Sequence, residues 1–115
     1  MPYKNKEDQK AAARRHYEDN KDVYKQRAKA HKVKMVEQAQ MYVRGLKSNP
    51  CTDCGGLFHP VAMDFDHLGD KERNIADMVR DGSLIANIDK EVAKCELVCS
   101  NCHRLRTAKR GGWLD

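Results

Sequence analysis

No stretch of this chain approaches the roughly 18 consecutive apolar residues of a membrane-spanning helix, and its first ten residues, MPYKNKEDQK, hold nothing like the apolar core of a secretory signal. Lipidation signals are absent as well. The expected location is therefore cytoplasmic. Apolar residues are scarce, at 40% of 115, in a chain with room for one modest domain plus an extension. A domain that small usually needs a staple. Cysteines number five, an odd count, which in a reducing compartment argues for metal ligands over a disulfide framework. A large charge imbalance is also missing. The 22 Lys+Arg against 17 Asp+Glu leave a net +5, which favours polyanions and makes nucleic acid the expected partner.

Glycine and proline are absent from Lys6 to Lys47 apart from Gly45, while Ala, Lys, Gln, Glu and Arg dominate. That composition predicts two helices, broken at Asp19-Asn20, with Asn20 or Asp22 capping the second. In the second, Met35, Val36, Ala39, Tyr42, Val43 and Leu46 recur at helical steps. This apolar stripe has two expected uses: packing on the folded module, or pairing two copies as a homodimer. Upstream, Arg14, Arg15, Lys21, Lys25, Arg27, Lys29, Lys32 and Lys34 make a mostly charged surface. It reads either as a solvated helix laced by ion pairs or as an arm lying on DNA phosphates. His16, His31, Tyr17 and Tyr24 read as surface or packing residues. Residues 1–49 are thus expected to form a basic helical arm, ended by Ser48-Asn49-Pro50 because the residue before a proline leaves the helical region.

Two Cys-x-x-Cys pairs, Cys51 with Cys54 and Cys99 with Cys102, bracket an insert of 44 residues. At that spacing a tight knuckle turns two thiolates toward one tetrahedral ion, so the two pairs predict a structural Zn2+ site. Four thiolates leave no open coordination position, so this zinc holds the fold and does no chemistry. Cys95 reads as a small buried apolar residue rather than a fifth ligand. Residues 50–115 form the expected zinc-stapled domain, of class α+β. Within it, Leu57 to His67 reads as a β-hairpin with Pro60 near its turn, and alternation puts Asp64 and Asp66 on one face. Helices are expected at 71–79 and 88–94, with a core of Ile75, Met78, Val79, Leu84, Ile85 and Ile88. Leu97-Val98 reads as no more than a bridge of strand, and a basic helix runs from Cys102 to about Arg110 before Gly111-Gly112.

A second site is expected at Asp66, His67 and His103. One shared zinc brings the end of the strand close to the start of the last helix. A carboxylate and an imidazole there leave most positions of a divalent ion open for a phosphate oxygen and water. Adjacent strand residues point oppositely, so His67 is expected to face the reacting phosphate as a general base. Asp64 reads as either a partner of a ligand or an extra ligand, and His59 as structural or merely exposed.

The motifs CTDC, DFDH and CSNCHRLRT resemble the HNH endonucleases. That resemblance covers about half the chain, from Cys51 to Thr107, and implies the ββα-metal fold: a β-hairpin and a helix gripping one divalent ion. It further implies a catalytic Mg2+ or Mn2+ on Asp66 and His103, His67 activating water, and DNA nicking that leaves 5′-phosphate ends. Arg104, Arg106, Lys109 and Arg110 would then hold the DNA backbone. Short free-standing members point to phage or mobile-element products, including partners of phage DNA-packaging terminases, acting in a bacterial or phage-infected cytoplasm. The chain departs from the family at the middle Asn that orients the base. Lys94 stands there, with Asn87, Asn74 or a backbone carbonyl as the expected substitutes. The alternative function is a zinc-stapled DNA-binding module or accessory factor that does not cut.

Overall fold

The structure is a computed structural model that describes residues 5–114, so residues 1–4 and 115 of the two expected domains lie outside it. It is α+β. Helices α1 (Lys6–Asp19) and α2 (Lys21–Leu46) come first, then strand β1 (Met63–His67), helices α3 (Ile75–Arg80) and α4 (Ile85–Val92), strand β2 (Cys95–Cys99) and helix α5 (Ser100–Arg110). Among the described residues no helix is long and apolar enough to cross a membrane.

Packing divides the chain inside α2, into the residues up to Val33 and those from Lys34 onward. In the first unit the break falls where the sequence predicts it. Asn5 caps α1, accepting from the Asp8 amide at 2.9 Å. Asn20 acts differently from the expected cap: its side chain donates to the His16 carbonyl at 2.8 Å and closes α1, while only its backbone carbonyl, accepting from the Tyr24 amide at 3.0 Å, serves α2. No residue of α1 is buried, although Tyr17 stacks on Tyr24 with ring centroids 5.5 Å apart.

The division falls at Lys34 rather than at residue 50 because the apolar stripe of α2 is spent within the second unit. Ala39 and Val43 are buried with Ile75, Met78 and Ile88, ringed by half-buried Phe65, Val79 and Val92. Leu84 and Ile85, expected in this core, are exposed instead. Ser48 and Asn49 then finish α2 by donating to the carbonyls of Arg44 and Leu46 at 3.0 and 2.9 Å.

The expected hairpin over 57–67 does not form as one piece. Proline has no amide hydrogen to give a ladder, and Pro60–Ala62 is a 3-10 turn capped by His59, whose Nδ1 accepts from the Val61 amide at 3.1 Å. Only Met63–His67 is strand, and its antiparallel partner is β2, on the far side of α3 and α4. Register pairs Met63 with Cys99, Asp66 with Glu96 and His67 with Cys95. The segment read as a bridge at Leu97-Val98 is thus a five-residue strand.

The helices of the insert are also displaced from expectation. The first starts late, at Ile75, because the amides of Glu72 and Arg73 turn to the Glu91 carboxylate. It stops near Gly82, at φ +71°, a left-handed conformation that glycine adopts without strain. The last helix begins earlier than expected, at Ser100, with the Cys99 sulfur accepting from the Cys102 amide at 3.4 Å. The side chains of Met63 and Val98 sit fully buried beside Cys51 and Cys99 in a second small core.

Ile88 is fully buried, so truncation leaves a cavity in the core that carries the insert. Ile88→Ala is expected to cost about 2–5 kcal/mol in urea unfolding of zinc-loaded protein. A loss below about 0.5 kcal/mol, the range of ordinary surface changes, would contradict this packing.

Candidate metal centre and adjoining cleft

Two knuckles at the Met63–Cys99 end of the sheet pairing bring Cys51, Cys54, Cys99 and Cys102 together, with one sulfur from each within 4.8 Å of the others. Four sulfurs around a zinc ion at about 2.3 Å stand roughly 3.8 Å apart, so the cluster fits a tetrahedral ion. Backbone amides prepare it. The Cys99 amide donates to the Cys51 sulfur at 3.2 Å. Burial opposes ionisation of Cys51, but the amides of Cys54, Cys99 and Asp53 outweigh it and bring the thiol down to about 6. Cys102 is pushed up to about 12, first by the Cys99 thiol beside it and then by burial. Four thiolates in contact ionise together only around a cation, which is the chemistry of a structural metal site. Cys95 lies apart and half-buried, donating to the Glu91 carbonyl at 3.4 Å. Burial first, then the negative charge of Glu91, pushes its thiol up to about 11, the behaviour of an inert cysteine.

Alternation along β1 turns Asp64 and Asp66 toward α5. Because Cys102 fixes the start of that helix, His103 meets both. Its Nδ1 lies 3.0 Å from Asp64 Oδ2, and its Nε2 lies 3.6 Å from Asp66 Oδ1. A ring that donates Nδ1–H to Asp64 turns the Nε2 lone pair toward Asp66, an arrangement familiar from metal-binding histidines. The three residues meet by pairs. Among the described residues, the four thiols are the group of three or more metal-ligating side chains that converges on one point.

The charge now facing Asp66 is guanidinium. Arg106 donates to its Oδ2 at 2.9 Å, and Arg110 donates to Oδ1 and Oδ2 at 2.8 and 2.7 Å. Arg110 first, then Arg106 against the opposing effect of burial, holds the Asp66 carboxyl down at about 2. Arg106 also grips both oxygens of Asp53 and approaches Glu96 at 3.1 Å. Two of the four cations expected to hold DNA, Arg106 and Arg110, are therefore occupied within the chain. Arg104 and Lys109 are exposed and make no ion pair among the described residues.

His67, on the other face of β1, reaches a group that sequence reasoning missed. Its Nε2 lies 2.9 Å from Glu91 Oε1. Neither expected Asn substitute hydrogen-bonds to it: Asn74 donates to Asp77, and Asn87 is exposed on α4. Lys94 donates to the other Glu91 oxygen at 3.1 Å. The available signal was an acidic residue three positions before Lys94, on the helix entering β2. As a charged residue in a short amphipathic helix it reads as solvated.

Asp64, Asp66, His67 and His103 share a cleft of about 960 Å³. Its rim includes Arg44 and Lys47 from the end of α2 and Lys71 from the insert, cations that the sequence reading did not single out. Lys47 also lies over the Phe65 ring, 5.7 Å from its centroid.

Removing zinc is expected to unfold the chain from Cys51 onward, since metal binding and folding are one equilibrium in sites of this kind. Near-ultraviolet circular dichroism and dispersion of the Met63 and Val98 methyl signals would report it. Retained structure after verified zinc removal would sink the four-cysteine assignment. Compared with known proteins, the chain matches no family model, no curated protein and no solved structure.

Proposed function

We propose that this chain is a metal-dependent DNA endonuclease that nicks by hydrolysing a phosphodiester bond, with a site of the HNH, ββα-metal kind. The observation that carries this reading is the convergence of Asp64, Asp66, His67 and His103 on one cleft with a cationic rim. A zinc staple that only held a binding surface has no use for an imidazole wedged between two strand carboxylates.

The donor set suits a hard divalent ion such as Mg2+ or Mn2+: ionised carboxylate oxygen from Asp66 and imidazole nitrogen from His103, with Asp64 orienting the ring. Neighbouring ligands of an octahedral ion stand about 3 Å apart, close to the 3.6 Å between Asp66 Oδ1 and His103 Nε2. Arg110, whose side chain is 51% exposed, can swing out and release an oxygen. When bound, the ion supplies Lewis-acid stabilisation of the charge on the phosphate and the departing 3′ oxygen. His67 takes a proton from water as general base. Arg44, Lys47 and Lys71 on the rim hold the backbone phosphates, with exposed Arg104 and Lys109 extending the contact along α5. The hydrolysis leaves 5′-phosphate and 3′-hydroxyl ends. One cleft makes one cut, so a single copy nicks.

A second reading, a zinc-stapled DNA-binding module that does not cut, is favoured by the two guanidinium groups on Asp66. A plasmid-relaxation assay separates the two. Purified protein is expected to convert supercoiled to nicked plasmid only with added Mg2+ or Mn2+, and His67→Ala to lower the rate by about 10²–10⁴-fold, the range for a lost general base. No nicking with any divalent ion, or equal activity in the variant, would move the assignment to the binding module.

A further inference from the structure

Glu91 is, with Asp66, one of two buried charged residues among the described side chains, at 4% exposure. A carboxylate taken from water needs its lone pairs filled, and Glu91 has them filled from three directions. Oε1 receives the amides of Glu72 at 3.1 Å and Arg73 at 3.5 Å and faces His67 Nε2 at 2.9 Å, while Oε2 receives Lys94 Nζ at 3.1 Å. Burial opposes its charge, yet those amides, Lys94 and His67 together outweigh burial and hold the carboxyl at about 2. The group is therefore a fixed anion, and an anion accepts hydrogen bonds only.

We propose that Glu91 is the positioning residue of His67, holding its ring as the Nε2–H tautomer so that Nδ1 presents an unprotonated lone pair to the cleft. Because Glu91 cannot donate, the proton of the 2.9 Å contact sits on His67 Nε2. Nδ1 makes no hydrogen bond among the described residues, and the side chain, 11% exposed, lines the cleft. A water held there gives its proton to Nδ1 and its oxygen to phosphorus. The bond to the 3′ oxygen breaks, and that oxygen takes its proton from solvent. The ring then carries two protons and one positive charge, which the Glu91 carboxylate faces directly. Lys94, standing where the resembled family has its Asn, donates to the far oxygen of Glu91 and makes no hydrogen bond to His67. This inference rests on the nuclease reading for its catalytic meaning, but the tautomer itself does not depend on activity.

A purely structural Glu91 would tie the 68–74 loop to α4 without affecting which His67 nitrogen carries the proton. Nitrogen-15 NMR of the zinc-loaded protein reads that directly, alongside single-turnover nicking with Mn2+. Wild type is expected to show His67 as the Nε2–H tautomer. Glu91→Gln keeps the shape but offers both a donor and an acceptor, so a mixture of tautomers is expected, with a 10–100-fold slower nicking step and unchanged DNA affinity. Lys94→Met, which leaves the contact between Glu91 and His67, is expected to keep both the tautomer and most of the rate. A wild-type His67 in the Nδ1–H form, or a Glu91→Gln protein that nicks at full rate, overturns the proposal. A wild type that holds the Nε2–H tautomer but does not nick overturns the nuclease reading and not the contact. If Glu91→Gln fails to fold, the wild-type tautomer decides.

Discussion

Four thiolates that can share one ion are the constraint on which the rest of the second unit depends. The first knuckle leads into β1 and the second ends β2 and begins α5, so one tetrahedral ion held by the four sulfurs would fix sheet register and helix entry together. Met63 pairs with Cys99, and the pairing then runs to His67 opposite Cys95. With two small clusters of buried residues among the described residues, hydrophobic burial is modest for this chain length. A metal that binds only the folded state would supply the missing stability. The insert between the knuckles is not idle spacing. It returns the chain to β2 and, through α4, delivers Glu91 to His67.

Around that frame the charges are arranged by face. On the α5 side of β1, two aspartates, His103 and two arginines make a dense polar cluster, in which Asp66 stays ionised because guanidinium groups answer its burial. Both arginines answer the charge of Asp66, and Arg106 also bridges it to Asp53 and Glu96. Toward the insert, on the other face of β1, His67 pairs with Glu91, which Lys94 and two amides also hold. The result is a cleft lined by both the Asp64–Asp66–His103 cluster and the His67 ring.

Much of this was legible in the sequence, and the failures have physical causes. The helix break at Asn20, the Cys-x-x-Cys knuckles and the face shared by Asp64 and Asp66 follow from local spacing, and His103 follows from the two knuckles sharing one ion. The hairpin was misplaced because strand alternation in β1 does not reveal a partner, and β2 lies beyond two helices. The apolar stripe of α2 was visible, but whether it met the module or a second copy depends on tertiary packing, which puts Ala39 and Val43 on Ile75, Met78 and Ile88. Arg106 and Arg110 read as free cations because nothing local shows that Asp66, forty residues upstream of Arg106, folds back against them. Glu91 was hidden for the same reason: its partners are distant in sequence, and its burial reverses the usual place of a glutamate.

The claim at the centre of this account is that the staple assembles a divalent-ion site between β1 and α5. Paramagnetic broadening of amide signals by substoichiometric Mn2+, added to zinc-loaded protein, tests it most directly. The account expects broadening concentrated at residues 64–67 and His103. Broadening spread instead over exposed carboxylates such as Glu7 and Asp8 of α1, or none at the cleft, would contradict it.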